Sequence, residues 1–117
     1  MNKLWPVEFY RDARGRSPVL EFIDRMQNIE QSCVLRYIKL LQKYGPLLRM
    51  PYARHIEGKL WELRADATRV FYFCALGDRF VLLHAYRKKS QEAPRKEIER
   101  ALRYMQDYVS RREYNER

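Results

Sequence analysis

The sequence has few of the residues that build cofactor and metal sites. Its 117 residues include two cysteines, two histidines and four glycines, with no glycine-rich phosphate loop and no motif of a hydrolase nucleophile. Cys33 and Cys74 have no partner at metal-ligand spacing, so we expect two buried, reduced thiols, which suit a reducing cytoplasm. His55 and His84 stand alone, whereas metal-binding histidines come in groups. The sequence therefore predicts neither a cofactor nor a metal.

Long apolar runs are missing as well. No stretch approaches the ~20 apolar residues of a membrane span. The opening MNKLWPVEFY lacks the apolar run of a signal peptide. The sequence also lacks linkers, repeats and low-complexity tracts. We therefore expect a single domain over residues 1–117 in the cytoplasm, with a polar tail at 110–117 that frays.

Negative charge is scarce relative to positive charge. The chain has 24 Lys and Arg residues against 15 Asp and Glu residues, which gives a formal net charge of +9. Such an excess favours a polyanionic partner, which is RNA, DNA or an anionic membrane surface. Apolar residues make up 46% of the chain and aromatic residues 14%, so a folded domain is expected rather than a disordered chain.

The N-terminal half predicts a strand followed by two helices. Residues 4–10 have the composition of a short strand. Ser17-Pro18 begins a helix, because Ser is a good N-cap and Pro is tolerated at the first helical position. A second apolar stripe at helical spacing runs from Ile29 to Tyr44, and Gly45-Pro46 ends it. We expect these two helices to form an α-hairpin that packs on a sheet.

The C-terminal half predicts three strands and a final helix. Residues 60–64 alternate between apolar and polar, and residues 69–76 and 80–86 are rich in apolar groups, as central strands are. The short connection Gly77-Asp78-Arg79 predicts an antiparallel hairpin between the last two strands. Pro94 begins the final helix. The order β-α-α-β-β-β-α indicates an α+β fold.

Cationic and aromatic residues accompany these strands and suit RNA, because cations neutralise phosphates and aromatic rings stack on bases. The candidate site residues are Arg54, Lys59, Arg64, Arg69, His84, Tyr86, Arg87, Lys88 and Lys89. Arg64 and Arg69 lie at the ends of apolar strands, where a guanidinium must reach solvent, a carboxylate or a phosphate. Glu62 is a possible structural partner for either arginine. By the period of two, His84, Tyr86 and Lys88 share one face of the last strand.

The same residues could cleave RNA without a metal. RNA carries its own nucleophile, the 2′-OH, so cleavage needs proton transfers and stabilisation of the charge that grows on the phosphate. Arginine and lysine supply the charge, and His, Tyr or Lys can move protons. A simpler interpretation stays open for each group: residues 87–89 as a solvated loop, His84 as a satisfied histidine at a sheet edge, and Tyr86 as a core residue.

An ordered set of motifs in the strand region resembles a known family. The motifs are Met50-Pro51, LWELR at 60–64, RVFY at 69–72, LLH at 82–84 and KKSQ at 88–91 leading to Pro94. This set closely resembles the phage-derived branch of the RelE/HigB toxins of bacterial toxin–antitoxin modules, over residues 1–109. The resemblance implies a RelE-like fold, in which an N-terminal strand and an α-hairpin pack on a mainly antiparallel twisted sheet with a C-terminal helix.

The resemblance also implies an activity and partners. It implies an endonuclease that enters the A site of the 30S subunit and cuts mRNA by attack of the 2′-OH on the adjacent phosphate, leaving a 2′,3′-cyclic end without a metal. It implies a cognate antitoxin, in this branch usually a small helix-turn-helix protein, and no membrane partner. We expect the free chain to be a monomer.

Roles come to this chain by motif position. Arg64 and Arg69 match arginines of the family and would hold phosphate charge. His84 matches the LLH motif as an acid, a base or a positioning group, and related toxins have a C-terminal Tyr that stacks on the base, as Tyr86 could. Lys88 completes the catalytic set. The residues expected to bind RNA are Arg54, Lys59, Arg87 and Lys89; Arg87, and Ala93 in place of a common Thr, depart from the family pattern.

Two alternatives stay open at this point. The first is a non-catalytic module on the same fold that binds RNA or the ribosome, or sequesters an antitoxin. The second is a phage structural or DNA-binding protein. The last helix is basic but also carries Glu97 and Glu99, and no helix-turn-helix pattern precedes it, which disfavours the second alternative.

Overall fold

A five-stranded sheet separates two hydrophobic cores. The computed structural model describes residues 3–115, with side chains as far as Arg112. The elements are β1 (Val7–Phe9), α1 (Pro18–Asp24), α2 (Asn28–Tyr44), β2 (Ala53–Glu57), β3 (Leu60–Ala65), β4 (Thr68–Ala75), β5 (Arg79–Arg87) and α3 (Arg95–Asn115). The strands lie in the order β1-β5-β4-β3-β2, in which β1 is parallel to β5 and all other pairs are antiparallel. The mixed α+β fold predicted from the sequence is confirmed.

The predicted α-hairpin is present on one face of the sheet. Ser17 caps α1, with its hydroxyl accepting a hydrogen bond from the N–H of Leu20 at 3.2 Å, and Pro18 is the first residue of the helix. α2 ends where Gly45 adopts a φ of 54°, and a 3₁₀ turn, Gly45–Leu47, follows. Buried residues of both helices pack with Val70 and Leu82 of the sheet in one core. The cap signal at Ser17-Pro18 and the apolar stripe from Ile29 to Tyr44 therefore predicted both helices correctly.

The predicted hairpin between the last two long strands is also confirmed, but one strand was missed. β4 and β5 are antiparallel neighbours joined at residues 76–78. No strand was predicted for residues 53–57, whereas they form β2, which pairs with β3. β2 escaped notice because an edge strand needs no dense apolar run, and this one contains Arg54, His55 and Glu57.

α3 covers the other face of the sheet. Phe71, Phe73 and Tyr86 pack there with Ile98 and Ala101 of the helix in the second core. A register shift between β4 and β5 follows Phe71. Such a bulge changes which face successive side chains occupy. As a result, the neighbours Leu83 and His84 both contact the α3 side of the sheet.

Two expectations differ from the structure. The tail at 110–117 was expected to fray, but α3 continues through Asn115, so residues 110–115 are helical. Within this part, Arg111 donates a hydrogen bond to Asp107 at 2.7 Å. Residues 116–117 lie outside the described part of the chain. Cys33 is half-buried, but Cys74 is exposed rather than buried, because it lies in an open groove near the β4–β5 turn. Across residues 3–115, no helix has the length and hydropathy of a membrane span.

Gly45 provides a test of how α2 is joined to the sheet. A Cβ at this position would lie 2.4 Å from Nε1 of Trp5, whereas a Cβ on Gly58, which also has a positive φ of 53°, would meet nothing within 4 Å. We expect Gly45→Ala to lower the free energy of unfolding by at least ~2 kcal/mol, from backbone strain and displacement of the Trp5 ring. Gly58→Ala should cost about 1 kcal/mol from strain alone. Equal losses in urea unfolding of the two variants would contradict this account.

Candidate functional site

The register of the sheet places two rows of polar and aromatic side chains on its α3 face. In one row, Arg64 of β3 pairs with Arg69 of β4, and Arg69 pairs with Tyr86 of β5. The neighbouring row contains Arg54, Glu62, Phe71 and His84. The rows are two residues apart along the strands, which is about 7 Å. The pairing of β3 with β4 thus brings Arg64 and Arg69 to one side of the sheet.

Glu62 lies at the centre of these rows. Its side chain is only 1% exposed, and the Tyr86 hydroxyl donates a hydrogen bond to its Oε2 at 2.9 Å. The other carboxylate oxygen, Oε1, is 3.4 Å from Nη2 of Arg54, 3.8 Å from Nη1 of Arg64 and 3.9 Å from Nε of Arg69. We call Glu62 and these three arginines the arginine cluster.

The Glu62 carboxylate does not satisfy all the hydrogen-bond donors of the three guanidinium groups in the arginine cluster. All three distances exceed the 2.7–3.2 Å typical of N–H···O hydrogen bonds. Oε1 of Glu62 and Nε of Arg54 are buried without a hydrogen-bond partner. Three positive charges face one negative charge, which leaves a surplus of two. The side chains of Arg54 and Arg64 are 34% and 15% exposed, so this surplus is accessible to an anion from solvent.

Arg69 is held in place by the backbone of the β3–β4 turn. Its Nη1 donates to the carbonyl oxygens of Asp66 and Thr68. Burial lowers the pKa of Arg69, the positive charge of Arg64 lowers it further, and the charge of Glu62 opposes both effects. Because arginine pKa values are so high, the side chain remains charged. Arg69 is therefore a fixed cation at the base of the arginine cluster.

Tyr86 contacts the arginine cluster through Glu62, and Phe71 packs against Tyr86. The Phe71 ring stacks on Tyr86, with ring centroids 5.4 Å apart, and on His84, at 6.3 Å. Burial raises the pKa of the Tyr86 hydroxyl, and the charge and hydrogen bond of Glu62 raise it further. At neutral pH the Tyr86 hydroxyl is thus protonated and donates to Glu62. Its ring is buried, where it packs in the core.

His84 points toward α3. Its Nε2 is 2.8 Å from Oε1 of Glu97, and its ring contacts the edge of Tyr104. Burial lowers the pKa of His84, and the hydrogen bond and charge of Glu97 oppose that shift. In this arrangement His84 connects β5 to α3, and one of its two ring nitrogens, Nε2, is hydrogen-bonded to the Glu97 carboxylate.

Comparison with known proteins gives a family for the chain. A family model described as phage-derived protein Gp49-like matches residues 21–106. The chain belongs to the Gp49-like family. This family includes toxins of toxin–antitoxin modules. The matched range runs from α1 to α3 and contains the whole arginine cluster. A search of curated proteins found no match.

The remaining candidate residues of this Gp49-like chain are distributed over the sheet. Lys88 and Lys89 are exposed directly after β5, and the N–H of Lys88 donates to the Ala67 carbonyl at 2.8 Å, which places them at the same end of the sheet as Arg64 and Arg69.

The structure does not bring the other two candidates, Arg87 and Lys59, to this end of the α3 face. Arg87 pairs with Thr68, on the α2 face, and binds Glu30 at 2.6 Å. Lys59 lies in the β2–β3 turn, at the opposite end of the strands.

Sequence reasoning underestimated two members of the site. Glu62 was considered only as a structural partner of Arg64 or Arg69, whereas it contacts Arg54 and Tyr86 as well. The signal was present in LWELR, where a charged residue occupies an inward position of a buried strand. Glu97, the partner of His84, was seen only as a charge that disfavours DNA binding. Among residues 3–112, no group of three His, Cys, Asp or Glu side chains is arranged to hold a metal ion.

A double-mutant cycle tests the pairing of Glu62 with Tyr86. Glu62→Ala should lower the free energy of unfolding by ~3–5 kcal/mol, because it leaves buried guanidinium groups uncompensated. Tyr86→Phe should cost ~1–3 kcal/mol, because Oε2 loses its donor. The two changes should be coupled by at least ~1 kcal/mol in urea unfolding. Tyr44→Phe, at an exposed ring, serves as the control, and strictly additive losses would show that the hydrogen bond contributes nothing.

The lowered pKa of His84 predicts a pH dependence of stability. The unfolded chain binds a proton at the ordinary histidine pKa of 6.5, whereas the folded chain binds it only at lower pH. The stabilising contribution is therefore complete above pH 6.5 and is lost as the pH falls below it. We expect unfolding free energies measured from pH 7.5 to 5 to decline less steeply for His84→Gln than for the parent. Identical slopes for the parent and His84→Gln would contradict the prediction.

Proposed function

We propose that this chain is the toxin of a toxin–antitoxin module and acts in the cytoplasm as a ribosome-dependent mRNA endonuclease. The observation that carries the proposal is the arginine cluster, in which three guanidinium groups surround one buried carboxylate at an open end of the sheet. Membership of the Gp49-like family supports the toxin assignment. The net charge of +9 supports RNA as the substrate.

The arginine cluster suits the charge that develops during cleavage. When a 2′-OH attacks the adjacent phosphate, negative charge grows on the non-bridging oxygens. Donors that are already fixed near those oxygens stabilise it without reorganisation. Arg54 and Arg64 face solvent and have uncommitted donors, while Arg69 is fixed by the turn. Glu62 is too buried to contact RNA, so its role is to hold the arginines together.

The proton transfers require a different set of groups. Lys88 is exposed after β5, at the end of the sheet that carries Arg64 and Arg69. In this proposal solvent water accepts the proton of the attacking 2′-OH, and Lys88 donates a proton to the leaving 5′-oxygen and regains one from solvent. His84 and Tyr86 are buried and bonded to Glu97 and Glu62, so we assign them positioning roles. Arg54 and Lys89 contribute phosphate contacts. This mechanism needs no metal, because the RNA supplies its own nucleophile.

The burial of His84 and Tyr86 favours one alternative. Two of the groups that could move protons are already bonded to carboxylates. A non-catalytic module that uses the arginine cluster only to bind RNA, or to bind an antitoxin, would have this arrangement. Such a module predicts binding of RNA or ribosomes without cleavage.

Induced expression distinguishes the two functions. If the chain is a ribosome-dependent endonuclease, induction without an antitoxin should arrest growth, and mapping of mRNA 5′ ends should show new cuts within translated regions. In a reconstituted translation system, an mRNA on ribosomes should be cut much faster than the same RNA free in solution. Normal growth at high soluble expression supports the non-catalytic alternative. Equal cleavage of free and translated RNA contradicts the ribosome requirement.

Arg64 is the most informative residue to replace, because it lies at a motif position and its partly exposed guanidinium is 3.8 Å from Glu62, which leaves its donors available to a phosphate. Arg64→Ala should lower the single-turnover cleavage rate by at least ~10-fold, and by ~10²-fold if water is excluded in the complex, as for loss of an oxyanion donor. Ribosome binding should change little, because many cations share the phosphate contacts. Arg14→Ala, in the exposed β1–α1 loop, is the matched control. A folded Arg64→Ala variant that cuts at the parent rate would place the site elsewhere, with the Lys88–Lys89 loop as the next location to test.

A further inference from the structure

One continuous segment of the chain carries positive charge only. Residues 31–56 contain five Lys and Arg residues and no Asp or Glu. The five are Arg36, Lys39, Lys43, Arg49 and Arg54. The segment covers most of α2, the 3₁₀ turn and most of β2, which is an edge strand of the sheet. The segment itself therefore contains no acidic residue that could compensate these cations.

Exposed apolar side chains lie within the same segment. Leu47 is 77% exposed and Met50 is 56% exposed. Both line a surface depression of about 350 Å³. We define the basic–apolar surface as Leu40, Tyr44, Leu47, Met50 and Tyr52, with the cations Lys43 and Arg49 at its margin. Large exposed aliphatic groups that are grouped together usually mark a site of protein interaction.

The composition of this surface favours a protein partner over RNA. RNA is bound by cations and by aromatic faces, and exposed aliphatic groups such as Leu47 and Met50 offer it little. An amphipathic segment of a protein, in contrast, places its apolar side chains in such a depression and its charged side chains at the margin. Because the margin carries Lys43 and Arg49 and the segment has no acid, the complementary segment is acidic.

The surface lies on the α2 face of the sheet, beside the edge strand β2 that also carries Arg54. The backbone N–H of Arg64 donates to the carbonyl of Tyr52 at 2.8 Å, and Arg54 follows two residues later in the chain. The Tyr52 ring contacts Tyr37 of α2, with ring centroids 6.2 Å apart, so a segment on this surface lies on the opposite face of the sheet from the arginine cluster. Only partner residues that continue around the β2 edge would reach Arg54.

From these observations we infer that the basic–apolar surface is the docking site of an acidic amphipathic segment of the antitoxin, and that the affinity of the antitoxin for the chain depends on this contact. This inference rests on the proposed function for the identity of the partner. The chemistry of the partner segment, apolar on one side and acidic on the other, follows from the surface itself.

The test uses the antitoxin that is encoded with this chain, co-expressed with Leu47→Asp or Lys43→Glu. Each variant alone should arrest growth as the parent does, because neither residue belongs to the arginine cluster. Co-expressed antitoxin should rescue the parent but not the variants. Titration calorimetry with the purified antitoxin should show a dissociation constant at least tenfold higher for each variant. Val109→Asp, an exposed apolar position on α3 on the other face of the sheet, is the matched control and should be rescued like the parent.

The possible outcomes separate the two proposals. If the parent does not arrest growth, the proposed toxin activity fails, while calorimetry still tests the docking site. If the variants arrest growth and are rescued as fully as the parent, with unchanged affinity, the docking site is wrong. If Leu47→Asp abolishes ribosome-dependent cleavage and leaves antitoxin affinity unchanged, the surface contacts the ribosome, which also overturns the inference. Circular dichroism verifies folding, and Leu47→Ala, which adds no charge, should show a smaller loss of affinity in the same direction.

Discussion

A fully buried carboxylate needs compensation, and the structure of the site depends on how Glu62 obtains it. An unpaired carboxylate in the interior costs several kcal/mol, so its partners must be present in the folded state. Here the partners come from four strands: Arg54, Arg64, Arg69 and Tyr86 approach Glu62 from β2, β3, β4 and β5. The arginines exceed what the carboxylate can neutralise. The buried charge of Glu62 therefore holds three arginines together and leaves net positive charge where Arg54 and Arg64 reach solvent.

The residues of this arrangement that lie on long apolar strands were predictable from the sequence. Two antiparallel strands joined by a short turn place residues at equal distance from the turn on the same face, which is why Arg64 and Arg69 meet across Asp66-Ala67. Glu62, two residues before Arg64, shares that face by the period of two. Two like charges opposite each other are unfavourable by themselves, so a carboxylate between them was the logical third member.

Other features depend on tertiary structure that local patterns do not encode. A register shift after Phe71 turns His84 toward α3, where Glu97 binds it, and no sequence periodicity predicts a bulge at that position. Lys59 precedes β3 and Arg64 lies near its end, so the extended strand separates them by about 17 Å, a distance already implied by the predicted strand at 60–64. The period of two already places Arg87 on the opposite face from Tyr86, whereas its contact with Glu30 of α2 depends on tertiary structure.

The central claim is that the arginine cluster binds an RNA phosphate, and the most direct measurement observes the guanidinium groups themselves. Nitrogen-15 spectra of the arginine side chains can be recorded during titration with a short RNA that carries a 2′-O-methyl group at each position and therefore cannot be cut. Our account predicts that the Nε–H signals of Arg54 and Arg64 shift first and furthest, and that those of Arg14 and Arg95 do not follow them. If Arg54 and Arg64 stay unchanged while signals elsewhere on the chain titrate, the arginine cluster is a structural charge network and not the phosphate site.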